Sequence, residues 1–73
     1  MPLKTPRAHQ IVADWKKAYP KETASLPPAD LDAAANAAAE RGAEVLSQCA
    51  AKGMSWSQSM ELAQQEWATP PGA

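Results

Sequence analysis

The sequence predicts a small all-α domain of three helices in a chain of 73 residues. Three segments carry apolar residues at spacings of three and four, the period of one helical face. No stretch alternates polar and apolar residues over four or more positions, so no sheet is expected. The helices are placed near residues 6–19, 28–52 and 55–68. They form one domain, 6–68, between flexible tails at 1–5 and 69–73.

The first predicted helix begins after Thr5, whose hydroxyl can cap it, with Pro6 at the first helical position. Pro20 ends it, because the residue before a proline is pushed out of the helical region. Residues 20–28 contain three prolines and form a stiff connector, with Leu26 expected under the next helix. The apolar face of the first helix consists of Ala8, Ile11, Val12, Trp15 and Tyr19.

The second predicted helix holds ten alanines between residues 29 and 52, and alanine is the best helix former. Pro28 opens it, and Asp30 and Asp32 suit the positive end of its macrodipole. Its apolar stripe is small in the first half and larger in the second, so bulky Trp or Tyr side chains are expected to fill the space beside it. The stripe consists of Leu31, Ala34, Ala35, Ala38, Gly42, Val45, Leu46 and Cys49.

A hinge between the second and third helices spans residues 49–58. Gly53 can take the left-handed conformation that closes a helix, since it has no Cβ to clash. Ser55 can cap the next helix, and Gln58 completes a capping box three residues later. The third helix is expected to end before the segment Thr69–Gly72.

The residue types exclude several functions. The lone Cys49 has no partner for a disulfide and, with the single His9, cannot complete a zinc site, so it is expected to be buried as a small apolar residue. The sequence predicts neither a membrane span nor a signal peptide, and a soluble protein is expected. His9 is expected at the surface, and Glu40 and Glu44 are expected to be solvated. With no nucleophile and base and no phosphate loop, the chain is predicted to be no enzyme and to need no cofactor or metal.

Charge is divided unevenly along the chain. Residues 1–21 carry five Lys or Arg and one Asp, a balance of +4, whereas residues 22–73 carry two basic and seven acidic residues, a balance of −5. A basic start on an acidic body can be a docking feature. Equally, the two halves can attract each other within the fold.

The hinge resembles the turn of helix-turn-helix DNA-binding domains, in which a small residue, then a glycine four later, an apolar residue and a serine follow one another. Here these are Cys49, Gly53, Met54 and Ser55. The following helix, however, carries two glutamates and no Lys or Arg, the wrong sign for phosphates. Ser59 also stands where such helices bury an aliphatic residue.

Tryptophan is unusually frequent, with three copies and no phenylalanine. Trp15 and Trp67 are expected in the core, where they would fill the space beside the alanine-rich helix. Trp56 lies in the first turn of its helix near Met54 and Met60, and Trp and Met are common anchors at protein interfaces. Met54, Trp56 and Met60 are therefore the predicted protein-binding residues, with core packing of Trp56 as the alternative.

The whole chain, from Met-Pro-Leu-Lys-Thr-Pro-Arg to Glu-Trp-Ala-Thr-Pro-Pro-Gly-Ala, resembles the small RNA polymerase-binding transcription regulators of lytic bacteriophages. The resemblance implies a monomer in the host bacterial cytoplasm that binds the largest polymerase subunit near its N-terminus, inhibits initiation and suppresses termination. The Met and Trp side chains would hold a segment of polymerase. The electrostatic contacts, to emerging RNA, would come from Lys4, Arg7, Lys16 and Lys17.

Two other functions are kept as alternatives. The first is a small helix-turn-helix DNA-binding repressor of phage or plasmid origin. The second is a structural bundle that binds and inhibits another host enzyme.

Overall fold

The computed structural model describes residues 2–72, and within that range the chain forms four helices and no strand. They are α1 (Pro6–Ala18), α2 (Pro20–Ala24), α3 (Pro28–Ala51) and α4 (Trp56–Gln64). The predicted all-α class is therefore confirmed. Met1 and Ala73, the outer ends of the predicted tails, lie outside the described residues. None of the helices in residues 2–72 combines the length and apolar character needed to cross a bilayer.

The core forms where α1 packs on α3, which is continuous through Gly42, and α4 packs on α3 as well. Because α3 presents mostly alanine to α1, the larger α1 side chains fill the space between the two helices. Trp15 is buried there, as its place on the apolar face predicts. The core cluster consists of Ala8, Ile11, Val12, Trp15, Leu31, Ala35, Ala38 and Ala39.

The short helix α2 occupies part of the segment 20–28 that is predicted to be a stiff connector. Pro20 both ends α1 and supplies the first residue of α2, a position where its missing N–H has no cost. The buried Thr23 hydroxyl donates to the carbonyl oxygens of Tyr19 at 2.9 Å and Pro20 at 3.2 Å. Leu26 is half-buried and packs against the core cluster.

The N-terminal segment contacts α3 through one buried polar side chain. The Asn36 side-chain amide donates to the Pro2 carbonyl oxygen at 2.9 Å, and its Oδ1 accepts from the backbone N–H of Lys4, also at 2.9 Å. Leu3 packs against the core beside them. Thr5 Oγ1 then accepts from the Ala8 N–H and caps α1. Mobility of residues 1–5 stays a prediction, but these contacts define where residues 2–5 lie.

The chain after α4 departs from the predicted boundary. α4 ends at Gln64, about one turn before the predicted end near residue 68. In residues 65–67 each backbone N–H donates to the carbonyl oxygen three residues earlier, which is the tighter 3₁₀ pattern. The tighter turn places the Trp67 carbonyl oxygen 2.9 Å from Nε1 of Trp15, which donates to it. Pro70, in the predicted C-terminal tail, is buried.

Candidate protein-binding surfaces

The hinge between α3 and α4 is fixed by backbone and capping hydrogen bonds. Gly53 has φ +77°, and its N–H donates to the Ala50 carbonyl oxygen while the Met54 N–H donates to that of Cys49. These two bonds form a Schellman motif. The Ser55 hydroxyl accepts from the Gln58 N–H at 3.2 Å, and the Gln58 side chain accepts from the Ser55 N–H at 3.3 Å. The predicted glycine stop and capping box are both present, so the start of α4 has a defined direction.

The predicted patch of Met54, Trp56 and Met60 lies on this rigid corner. Trp56 is 69% exposed, and Met54 and Met60 are half-buried. One turn separates Trp56 from Met60, which makes them neighbours on the helix surface. α4 instead buries two small residues, Ser59 and Ala63, and through them it packs on α3. Trp56 is therefore at the surface, and core packing does not account for it.

The four predicted electrostatic residues lie at opposite ends of α1. Lys4 and Arg7 are at its start, and Lys16 and Lys17 are exposed in its last turn. Ten residues separate Arg7 from Lys17, which corresponds to about 15 Å along a helix. The structure therefore does not bring the four together into one basic patch.

Lys4 and Arg7 border an apolar groove of about 350 Å³. Its floor is a side of α3 that includes Ala39 of the core cluster together with Ala43 and Leu46, and Trp67 supplies a large aromatic side chain at its edge. Glu40 is the one acidic residue that lines it. The full lining consists of Lys4, Thr5, Arg7, Asn36, Ala39, Glu40, Ala43, Leu46 and Trp67.

The Trp67 ring is held between α3 and α1. It lies so close to Gly42 that a Cβ built there would be 2.0 Å from Cζ3 and 2.3 Å from Cε3. The Arg7 guanidinium lies over the ring, 4.8 Å from its centroid, in a cation–π contact. Close by, the Glu66 carboxylate pairs with Arg41 at 3.4 Å. The expected filling of the small-residue stripe by a bulky aromatic side chain is seen here, at Gly42.

Sequence reasoning missed this groove. Its signals were Asn36, a polar residue within a run of alanines, and the pairing of a mid-helix glycine with a distant tryptophan. Both depend on residues far apart in the chain, because Asn36 contacts residues 2 and 4 and Gly42 contacts residue 67. Other expectations hold: Cys49 is buried, and His9, Glu40 and Glu44 are exposed.

No protein-family model, curated protein or solved structure matches this chain.

Proposed function

We propose that this protein is a non-enzymatic regulator of the phage type, which binds host RNA polymerase, inhibits transcription initiation and suppresses termination. The observation that supports it most directly is the exposure of Trp56, 69%, between two methionines on a rigid corner. Large aromatic side chains are costly to leave in water and supply much of the binding energy at interfaces.

The structure of the hinge favours binding at this corner. A surface that is already ordered loses less conformational entropy when a partner docks. The Schellman motif and the capping box order the backbone on both sides of Met54. Methionine side chains are flexible and polarizable, so Met54 and Met60 can adapt to the partner while Trp56 supplies a rigid anchor.

In the proposed complex, the corner holds a short segment near the N-terminus of the largest polymerase subunit. Initiation is inhibited because the bound protein disturbs the promoter-specificity factor, and termination is suppressed near the RNA exit channel. Lys16 and Lys17, exposed in the last turn of α1, contribute electrostatic contacts to emerging RNA. These functional details follow from the resemblance of the chain to the phage regulators.

The direct test is the affinity of purified core polymerase for the wild type and for Trp56→Ala, measured by calorimetry. We expect the substitution to weaken binding by about 2 kcal/mol or more, about 30-fold, as for a hot-spot residue. Its unfolding free energy should change little, because most of the side chain is already in water. Leu62→Ala is the matched control, since Leu62 is on the same helix and 40% exposed but outside the patch.

Failure of wild-type protein to bind core polymerase at physiological salt would overturn the proposal. Unchanged affinity of Trp56→Ala, with normal binding by the wild type, would leave polymerase as the partner but remove Trp56 from the interface. Transcription in vitro on templates with a promoter and a terminator then measures initiation and read-through separately.

The DNA-binding alternative is favoured by one observation, the ordered glycine and serine turn at the hinge. Against it, Ser59 is buried where helix-turn-helix domains place an aliphatic residue, and α4 carries Glu61 and no basic residue. Glu61→Lys removes the unfavourable charge without disturbing the Arg41 pair with Glu66. If neither the wild type nor this variant binds DNA, the repressor function is excluded.

A further inference from the structure

The groove bordered by Lys4, Arg7 and Trp67 is separate from the Met54, Trp56 and Met60 patch and shares no residue with it. We propose that it is a second docking site, for an extended segment of a partner protein that carries large apolar side chains alternating with carboxylates. The proposal does not depend on RNA polymerase being the partner.

The apolar floor of the groove would contact the apolar side chains of such a segment. Ala39, Ala43 and Leu46 lie along one side of α3; Ala39 also belongs to the core cluster, whereas Ala43 is exposed and Leu46 half-buried in the groove. From Asn36 to Leu46 the helix rises about 15 Å, which is the span of four or five extended residues. The volume of about 350 Å³ is at the lower end for binding pockets and accommodates one or two aliphatic side chains.

The basic side chains at the rim of the groove would attract the carboxylates of the segment. Lys4 and Arg7 border the groove with only Glu40 opposite in sign, a local balance of +1 in a chain whose net charge is −1. Within residues 2–72 neither cation forms an ion pair with a carboxylate. The backbone N–H of Lys4 donates to Oδ1 of Asn36, so the Lys4 side chain starts from a defined position at the rim.

Single-stranded RNA is the other macromolecule that an aromatic residue beside basic ones can bind, by base stacking. Here the Trp67 ring is already occupied, since it lies against Gly42 and the Arg7 guanidinium lies over it. A stacked base would have to displace Arg7. Glu40 at the rim would also oppose the phosphates. A peptide needs no such displacement, because its apolar side chains contact the α3 floor.

The test is an NMR titration of the full ¹⁵N-labelled chain with two tetrapeptides, acetyl-Leu-Asp-Leu-Glu-amide and acetyl-Leu-Lys-Leu-Lys-amide, and with a short oligouridine. We expect the acidic peptide alone to shift the amide signals of Ala39, Ala43 and Leu46 and the indole signal of Trp67. NMR follows dissociation constants in the millimolar range, so weak binding by a short probe is measurable.

Two pairs of variants separate the floor from the rim. Ala43→Glu places a longer, charged side chain on the floor and should weaken binding about tenfold or more. Ala33→Glu, at an exposed site on the same helix outside the groove, is its control. Lys4→Glu should weaken binding about fivefold, as expected for an exposed ion pair, and Lys17→Glu should leave it unchanged.

Three results would overturn the proposal: no groove shifts with the acidic peptide, equal binding of the basic peptide, or groove shifts with oligouridine that Ala43→Glu abolishes. None of these depends on polymerase binding. Success or failure here is therefore distinguishable from that of the proposed function.

Discussion

The contact between Gly42 and Trp67 predicts that Gly42→Ala lowers the free energy of unfolding when the Trp67 ring is present and raises it when the ring is absent. Helix propensity alone makes Gly42→Ala stabilising, by about 1 kcal/mol in a helix interior. In the folded chain, however, the new Cβ would lie 2.0 Å and 2.3 Å from two Trp67 ring atoms. Real Cβ atoms do not approach other atoms so closely, so the ring must move away from α3.

Moving the ring has a cost that exceeds the gain in propensity. Overpacking of this kind costs about 1–3 kcal/mol. Loss of the Arg7 contact over the ring adds about 0.5–1 kcal/mol at a partly exposed site. After subtraction of the propensity gain, Gly42→Ala should destabilise the protein by about 1.5 kcal/mol, with a range of about 0.5–3. For a domain of this size that corresponds to a lower Tm by about 6–12 °C.

The assay is urea unfolding followed by circular dichroism at 222 nm, in a double-mutant cycle with Trp67→Ala. When the ring is absent the steric conflict disappears, and Gly42→Ala should then stabilise by up to about 1 kcal/mol. Stabilisation of the wild-type background by Gly42→Ala would refute the reasoning. So would the same change in both backgrounds, because it would mean that Trp67 does not rest on Gly42.

Substitutions at two further positions, Asn36 and Gly53, test other local features of the fold. Asn36→Ala should destabilise by about 1–2 kcal/mol, because two hydrogen bonds to the N-terminal segment are lost, and should speed hydrogen exchange of the Lys4 amide. Asn36→Asp keeps the acceptor for that amide but loses the donor to Pro2, so persistent protection in this variant only would confirm the assignment. Gly53→Ala should cost about 1–2 kcal/mol through its positive φ alone, since its Cβ would meet no atom within 4 Å. Gly53→Asn should cost less, and equal losses for the two would contradict a conformational cause.

The fold class was predictable because its signals are local. Three of these signals act within one helical turn, and all are found in the structure. They are the cap at Thr5, the helix stop at Pro20, and the hinge at Gly53 and Ser55. Apolar spacing gave the buried face of α1 for the same reason. The short helix α2 was missed because three prolines in nine residues indicate a stiff connector, although a proline at the first position favours a helix.

The end of α4 shows where local signals become insufficient. Proline at position 70 allows the helix to continue to residue 68, and Trp67 would then share a face with Met60. Tertiary contacts decide otherwise, since the Trp67 carbonyl oxygen accepts from Trp15 and its ring needs the space at Gly42. These contacts join residues 52 and 25 positions apart, which no local pattern reports.

The arrangement of α4 argues that Trp56 is exposed for a reason other than folding. This helix buries Ser59, at 3% exposure, and leaves the largest side chain of its first turn in water. The serine is tolerated inside because its hydroxyl donates to the Ser55 carbonyl oxygen at 2.8 Å. A sequence selected for stability alone would place a larger apolar residue inside and a polar one outside. Proteins depart from that pattern mainly at functional sites, so the exposed Trp56 and the buried Ser59 together support the proposed interface at Trp56.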